Sequence, residues 1–212
     1  ASTPMLYQAS ADFDIQIGII ITASHNSKEY NGMKLCKKNA VPISGDTGIK
    51  DIEKLVKNKD FKKDSETKGD LIDMQVYKDN YIKKLLDFPK PKKKLKVVFD
   101  AGNGMGGFVD EDILRHFCEV IPLYTDLDGD FPNHEANPIK LENLTDLIKK
   151  VKEEKADLGF SFDGDADRCG VVDEKGNYIG ADLVGAFIIE HFINEFPKEK
   201  NYSLFTSYDR KS

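Results

Sequence analysis

Three aspartates at alternate positions, Asp163, Asp165 and Asp167, follow directly on the apolar run 156–162. That run reads as a short buried strand bounded by glycine. Three carboxylates crowded at the mouth of a strand repel one another strongly unless a cation lies among them, and an all-oxygen set suits a hard ion such as Mg²⁺ or Ca²⁺. Arg168 adds a planar cation of the kind that handles phosphate. The spacing also imitates a calcium EF-hand, with Glu174 twelfth counted from Asp163. However, Arg168 stands where that loop needs glycine, and the flanks read as strands where it needs helices. The segment 169–179, with its Gly176-Asn177 turn, predicts a hairpin.

Far upstream, the β-branched run 17–22 predicts a strand buried on both faces. It empties into a polar loop that carries Ser24, His25 and Lys34. Loops at strand ends are where open α/β sheets place their sites. Ser24 is the natural nucleophile or phosphate carrier; His25 and Lys34 are the nearby groups able to move protons or neutralise anions. Loop serines also cap and turn the backbone, so the residues alone leave the role of Ser24 open.

Between these segments the patterns alternate between strand and helix, as an α/β sheet requires. Ile49, Ile52, Leu55 and Val56 form one helical stripe, and a second helix is predicted over 73–88. The Pro89-Lys90-Pro91 break then divides a first domain, 1–88, from a second, 89–212. In the second, strands are predicted at 95–99 and 119–124 and helices at 108–117 and around Leu144, Leu147, Ile148 and Val151. Leu183, Val184, Phe187, Ile188 and Phe192 continue the helical pattern and read as core. His116 and His191 fall in helical patterns and read as partly buried and structural, and His134 is given no chemistry.

The 212 residues, 40% of them hydrophobic, are enough for one large or two modest cores. A net charge of −6 disfavours a polyanionic partner. The lysine run at 90–96 reads as a solvated linker and not as a nucleic-acid patch. Three cysteines without a CxxC suit a reducing compartment. No apolar stretch can span a membrane and no signal-peptide pattern is present, which makes the cytoplasm the expected location. Pattern alone assigns no oligomeric state.

Two readings compete from the residues. Gly102, Gly104 and Gly107 satisfy GxGxxG, and Asp126 lies where a ribose-binding acid belongs, so a dinucleotide-binding oxidoreductase domain fits that segment. It explains neither the Ser24 loop nor the aspartates. A metal-dependent phosphatase would take Asp163 as its nucleophile.

Taken together the motifs carry a resemblance. Thr22-Ala23-Ser24-His25-Asn26 with Asn31-Gly32-Met33-Lys34 resembles the phosphoserine loop of the α-D-phosphohexomutases, and 163–168 resembles their magnesium loop. The segments 100–107 and 128–134 are similar too. One departure is Ser27, where the family usually has proline.

The resemblance implies two three-layer α/β domains with mixed, largely parallel sheets, the first incomplete. It implies phosphoryl transfer between the 1- and 6-positions of a hexose phosphate, through a phosphoserine and a hexose 1,6-bisphosphate. On this analogy Ser24 carries the phosphoryl group, and one of its oxygens completes a Mg²⁺ shell with Asp163, Asp165 and Asp167. His25 and Lys34 serve proton transfer, and Arg168 binds substrate. Ala23 and Ala166 are closer to the phosphomannomutase and phosphoglucomutase branch than to the phosphoglucosamine one. Such enzymes usually have four domains, so the chain is expected to be a fragment with negligible turnover alone.

Overall fold

In the computed structural model, residues 1–62, 67–73 and 77–195 are described. The chain opens with a helix that hydrophobic pattern did not announce, α1 (Thr3–Asp12), with Pro4 at its start. Proline is pre-organised for a first helical turn, where its missing N–H costs nothing. Three strands follow, β1 (Ile17–Ile21), β2 (Met33–Lys37) and β3 (Val41–Pro42), paired antiparallel in that order. Lys34 therefore lies on a strand and not in the polar loop, opposite Ile20.

Among the described residues, cover lies on one face of β1. A Cβ at Gly18 would come within 3 Å of Leu6, Ser10 and Cys36, so α1 lies directly against that face. Ile17, Ile19 and Ile21 are each at least half exposed. The expectation of a strand buried on both faces is thus not met, because burial needs a second layer and α1 supplies one. Helix α2 (Lys50–Asn58) forms as its stripe predicts, yet Ile52, Leu55 and Val56 stay exposed for the same reason.

The second unit is the three-layer sandwich. After α3 (Tyr77–Leu86) come β4 (Lys96–Asp100), α4 (Gly106–Phe117), β5 (Glu119–Leu123), α5 (Thr145–Glu154), β6 (Leu158–Phe162), β7 (Cys169–Asp173), β8 (Tyr178–Ile179) and α6 (Ala181–Glu195). The five strands lie in the order β5-β4-β6-β7-β8. Parallel pairing joins β4 to β5 and to β6; the β6-β7-β8 edge is antiparallel. The α/β class with mixed sheets holds, but parallel strands are confined to this unit among the described residues.

Alternation along β4 assigns the two faces. Val98 points to α5, packing with Leu144, Leu147, Val151 and Val172; Val97 and Phe99 point the other way, with Val120, Cys118 and Leu114 of α4. A third cluster, Met5, Tyr77, Tyr81, Val109 and Ile113, joins α1 and α3 to the outer side of α4. That cluster ties the start of the chain to the second unit. Helix α6 has no such cover among the described residues: Leu183, Phe187, Ile188 and Phe192 are exposed, contrary to their reading as core. His116 and His191 are exposed as well. Residues 74–76 of the second predicted helix lie outside the described residues. No helix among the described residues is long and apolar enough to cross a membrane.

At the C-terminal end of β4, Asp100 is fully buried. Its carboxylate accepts the Gly102 N–H at 2.9 Å and lies 3.0 Å from His134 Nε2. Burial works against the imidazolium, but hydrogen bonding to Asp100 and its charge prevail and raise the His134 pKa. His134 thereby fastens the connector after β5 beside the loops of the sheet.

Two stability measurements follow. Leu147→Ala should cost about 2–5 kcal/mol in urea denaturation, the range for emptying a sealed core position. For His134 the folded pKa lies above the unfolded value near 6.5, so its contribution is complete below that pH and lost as pH rises through the folded value. His134→Gln should therefore cost about 1.5–3 kcal/mol at pH 6, with a gap to the unsubstituted chain that narrows toward pH 9.

Candidate active site

The strand order puts a crevice at the C-terminal ends of β4 and β6. Helix α4 covers one face between β4 and β5, and α5 covers the other between β5 and β6. The reversal of winding opens the gap in which α/β sheets hold ligands. The loop 163–168 leaves β6 into that gap and returns through β7, so strands flank it on both sides. An EF-hand is excluded by this frame.

Asp163 organises the loop. Its side chain is fully buried, and its Oδ1 accepts the backbone N–H groups of Asp167 and Arg168 at 3.0 and 3.1 Å. Ala166, at φ 60°, turns the chain tightly enough to donate its N–H to the Asp163 carbonyl. The carboxylates of Asp163, Asp165 and Asp167 converge, with one oxygen from each within 4.8 Å of the others. Burial first, and then the charges of Asp165 and Asp167, push the Asp163 carboxyl up to about 6. Such repulsion is what a bound cation relieves.

The second loop arrives from β1. Ser24 sits at φ 55°, an uncommon conformation for a residue with a side chain. Its N–H donates to Thr22 Oγ1 at 2.8 Å, and Asn26 donates to the Ala23 carbonyl, which holds the turn. The Ser24 hydroxyl donates to Asp163 Oδ2 at 3.2 Å, across 139 positions of sequence. Gly164 permits the approach, since a Cβ there would lie 2.4 Å from the Ser24 carbonyl oxygen.

Lys34 reaches in from β2. Its ammonium donates to Asp165 and Asp167 at 2.5 Å each and to Ser24 Oγ at 3.4 Å. Burial opposes that charge, but the hydrogen bonds and charges of the two aspartates outweigh it and raise the Lys34 pKa. His25 Nδ1 stands 3.4 Å from Ser24 Oγ. Burial, followed by the positive charge of Arg168, lowers the His25 pKa and favours neutral imidazole. Arg168 Nε lies 3.9 Å from Asp163 Oδ2, with its side chain 41% exposed at the rim. Every residue singled out in the two loops is therefore in one place.

Three contributors are given no role in the sequence reading. Thr3 donates its hydroxyl to Asp165 Oδ2 at 2.5 Å from 162 positions away; Thr22 and the Asp100–His134 pair act through tertiary contacts as well. The residues fit a divalent cation. Asp165 Oδ1 is buried without a hydrogen-bond partner among the described residues, and a buried carboxylate oxygen left bare is costly unless a ligand meets it.

The glycine-rich turn has another use than a pyrophosphate. A Cβ at Gly104 would press on the Gly164 backbone at 2.9 Å, and one at Gly107 would strike the Thr125 carbonyl oxygen at 2.0 Å. The Met105 N–H donates to the Gly164 carbonyl at 2.9 Å. Gly104 thus seats the turn against the aspartate loop and Gly107 seats it against the segment after β5, which leaves the dinucleotide reading without its main support.

Comparison with known proteins agrees. The family models for phosphoglucomutase/phosphomannomutase α/β/α domains I and II match residues 1–63 and 79–176. The chain belongs to the phosphohexomutase family. It is 42% identical to a phosphomannomutase/phosphoglucomutase of Pseudomonas syringae pv. tomato over 185 residues, 85% of this chain and 38% of that protein. A Vibrio cholerae phosphomannomutase is 36% identical, over 91% of this chain and 43% of its own length. A Burkholderia thailandensis phosphoglucomutase/phosphomannomutase family protein superposes with a TM-score of 0.81 at 33% identity, covering 92% of this chain and 43% of that structure. The chain thus spans less than half the length of these relatives.

Divalent-cation binding should depend on pH in a defined sense. Protons compete for Asp163, whose pKa stands near 6. Mg²⁺ affinity, measured by titration calorimetry, should hold between pH 8 and 7 and weaken as pH falls through 6.

Proposed function

We propose that this phosphohexomutase chain carries the phosphoserine and metal-binding parts of an enzyme that reversibly moves a phosphoryl group between the 1- and 6-positions of a hexose phosphate, mannose or glucose. The observation that supports it most is the convergence of Ser24 Oγ on Asp163, Lys34 and His25. A capping serine would not need those three partners. Residues 1–88 are the phosphoserine-bearing unit in this reading, and 89–212 bear the glycine-rich turn and metal loop. The three free cysteines agree with a cytoplasmic setting.

Phospho-Ser24 is the donor. A hydroxyl oxygen of the sugar monophosphate attacks phosphorus, and the new P–O bond forms as the bond to Ser24 Oγ breaks. His25, held neutral, accepts the proton of the attacking hydroxyl. Lys34, held as ammonium within reach of Oγ, gives a proton to the departing serine oxygen. The product, a hexose 1,6-bisphosphate, then returns its other phosphoryl group to Ser24 by the reverse exchange. Asp163, Asp165, Asp167 and a phosphoserine oxygen would hold Mg²⁺, which supplies neutralisation of phosphoryl charge. Arg168 at the rim offers the substrate phosphate a planar donor set.

The phosphatase reading is less well supported. It gives the convergence of Lys34 and His25 on Ser24 Oγ no purpose, whereas the phosphoserine reading uses it.

Incubation with glucose 1,6-bisphosphate, followed by phosphopeptide mapping across Gly18 and Lys34, should place phosphate on Ser24 and on no aspartate. Ser24→Ala should abolish the modification. In a full-length protein carrying this chain, the same substitution should lower mutase turnover by several orders of magnitude; normal turnover would overturn the mechanism.

A further inference from the structure

Asp165 is held by a residue from the opposite end of the chain. Thr3 is fully buried, in the first turn of α1. Its backbone N–H donates to the Asp165 carbonyl at 3.0 Å and its hydroxyl to Asp165 Oδ2 at 2.5 Å. The two bonds grip one residue by its main chain and its side chain together. A threonine at the start of a helix often spends its hydroxyl on the helix itself. Here the N-cap residue is Ser2, which makes no side-chain capping bond, and the Thr3 hydroxyl goes to the aspartate.

The consequence is an asymmetry between the two oxygens of Asp165. Oδ2 receives both Thr3 and Lys34, whereas Oδ1 is buried with no hydrogen-bond partner among the described residues. A carboxylate can rotate about its Cβ–Cγ bond, and a donor on one oxygen removes that freedom. Lys34 is a flexible, partly exposed side chain, whereas Thr3 has a stiff, β-branched one anchored by α1. Met5, two residues on, is locked among Tyr77, Tyr81, Val109 and Ile113, so α1 cannot easily withdraw from the loop.

We infer that Thr3 is the positioning residue of the cation site: its hydroxyl fixes the Asp165 carboxylate so that Oδ1 is kept for the metal. This rests on the reading of Asp163, Asp165 and Asp167 as a divalent-cation site. It also assigns α1 a role beyond packing, because the helix carries an outer hydrogen bond of the metal loop from the other end of the chain.

Mg²⁺ titration calorimetry and Mn²⁺ electron paramagnetic resonance on the 212-residue chain test this, with far-UV circular dichroism to check folding. Thr3→Ser keeps the hydroxyl and should bind both ions close to the unsubstituted chain. Thr3→Val keeps the shape without the donor and should bind about 10- to 100-fold more weakly, the usual effect of losing an outer hydrogen bond at a metal site. If Thr3→Val does not fold, Thr3→Ala is read on the same scale. A folded variant without the hydroxyl that binds as tightly as the unsubstituted chain overturns the inference and leaves the site standing. Equal losses in Thr3→Ser and Thr3→Val would also overturn it, since methyl packing would then be responsible. Failure of the unsubstituted chain to bind either ion overturns the cation site and the role of Thr3 together.

Discussion

The buried carboxylate of Asp163 is the contact on which the arrangement depends. An ionised group at zero exposure is expensive unless its oxygens are satisfied, and here each oxygen has a separate task. Oδ1 closes the aspartate loop by accepting the N–H groups of Asp167 and Arg168, while Oδ2 receives the Ser24 hydroxyl. One side chain thus sets the shape of its own loop and docks the loop from β1. The neighbouring Asp165 and Asp167 make that burial costlier still, which is the reason the same geometry suits a cation.

Scaffolding of unrelated origin converges on this point. The glycine-rich turn after β4 lies against Gly164 with no side chain between. The first turn of α1 grips Asp165, and Lys34 enters from β2. The proposed phosphoryl transfer would ask the protein mainly for positioning and for neutralisation of charge, and these contacts offer groups for both. Lys34, its pKa raised by the two aspartates, and His25, its pKa lowered by burial, both stand 3.4 Å from the Ser24 hydroxyl, the geometry on which the proposed donor and acceptor roles rest.

Much of the candidate site was legible beforehand because its residue types are locally improbable. Three aspartates at alternate positions after an apolar strand, and a Ser-His pair after a β-branched run, carry their chemistry in short windows. The strands and helices of the second unit followed for a similar reason: periodicities of two and 3.6 are local properties of backbone and polarity. Less legible was α1, whose apolar residues do not form a clear stripe. The burial of Ile17, Ile19, Ile21, Phe187 and Phe192 was overestimated because an apolar run records what a strand or helix can bury, and not whether a layer lies over it.

By itself the sequence determined the α/β class, the position of the acidic loop between two strands and the chemical groups of the candidate site. These follow from short-range pattern and from the properties of each side chain. Tertiary structure alone decided that Thr3 reaches Asp165, that His134 reaches Asp100, that Lys34 enters from a strand, and that the glycine-rich turn seats a loop of protein. Those pairings span from 34 to 162 positions. No local pattern encodes them, because they arise only when separate elements pack their apolar faces and bring distant polar groups into one volume.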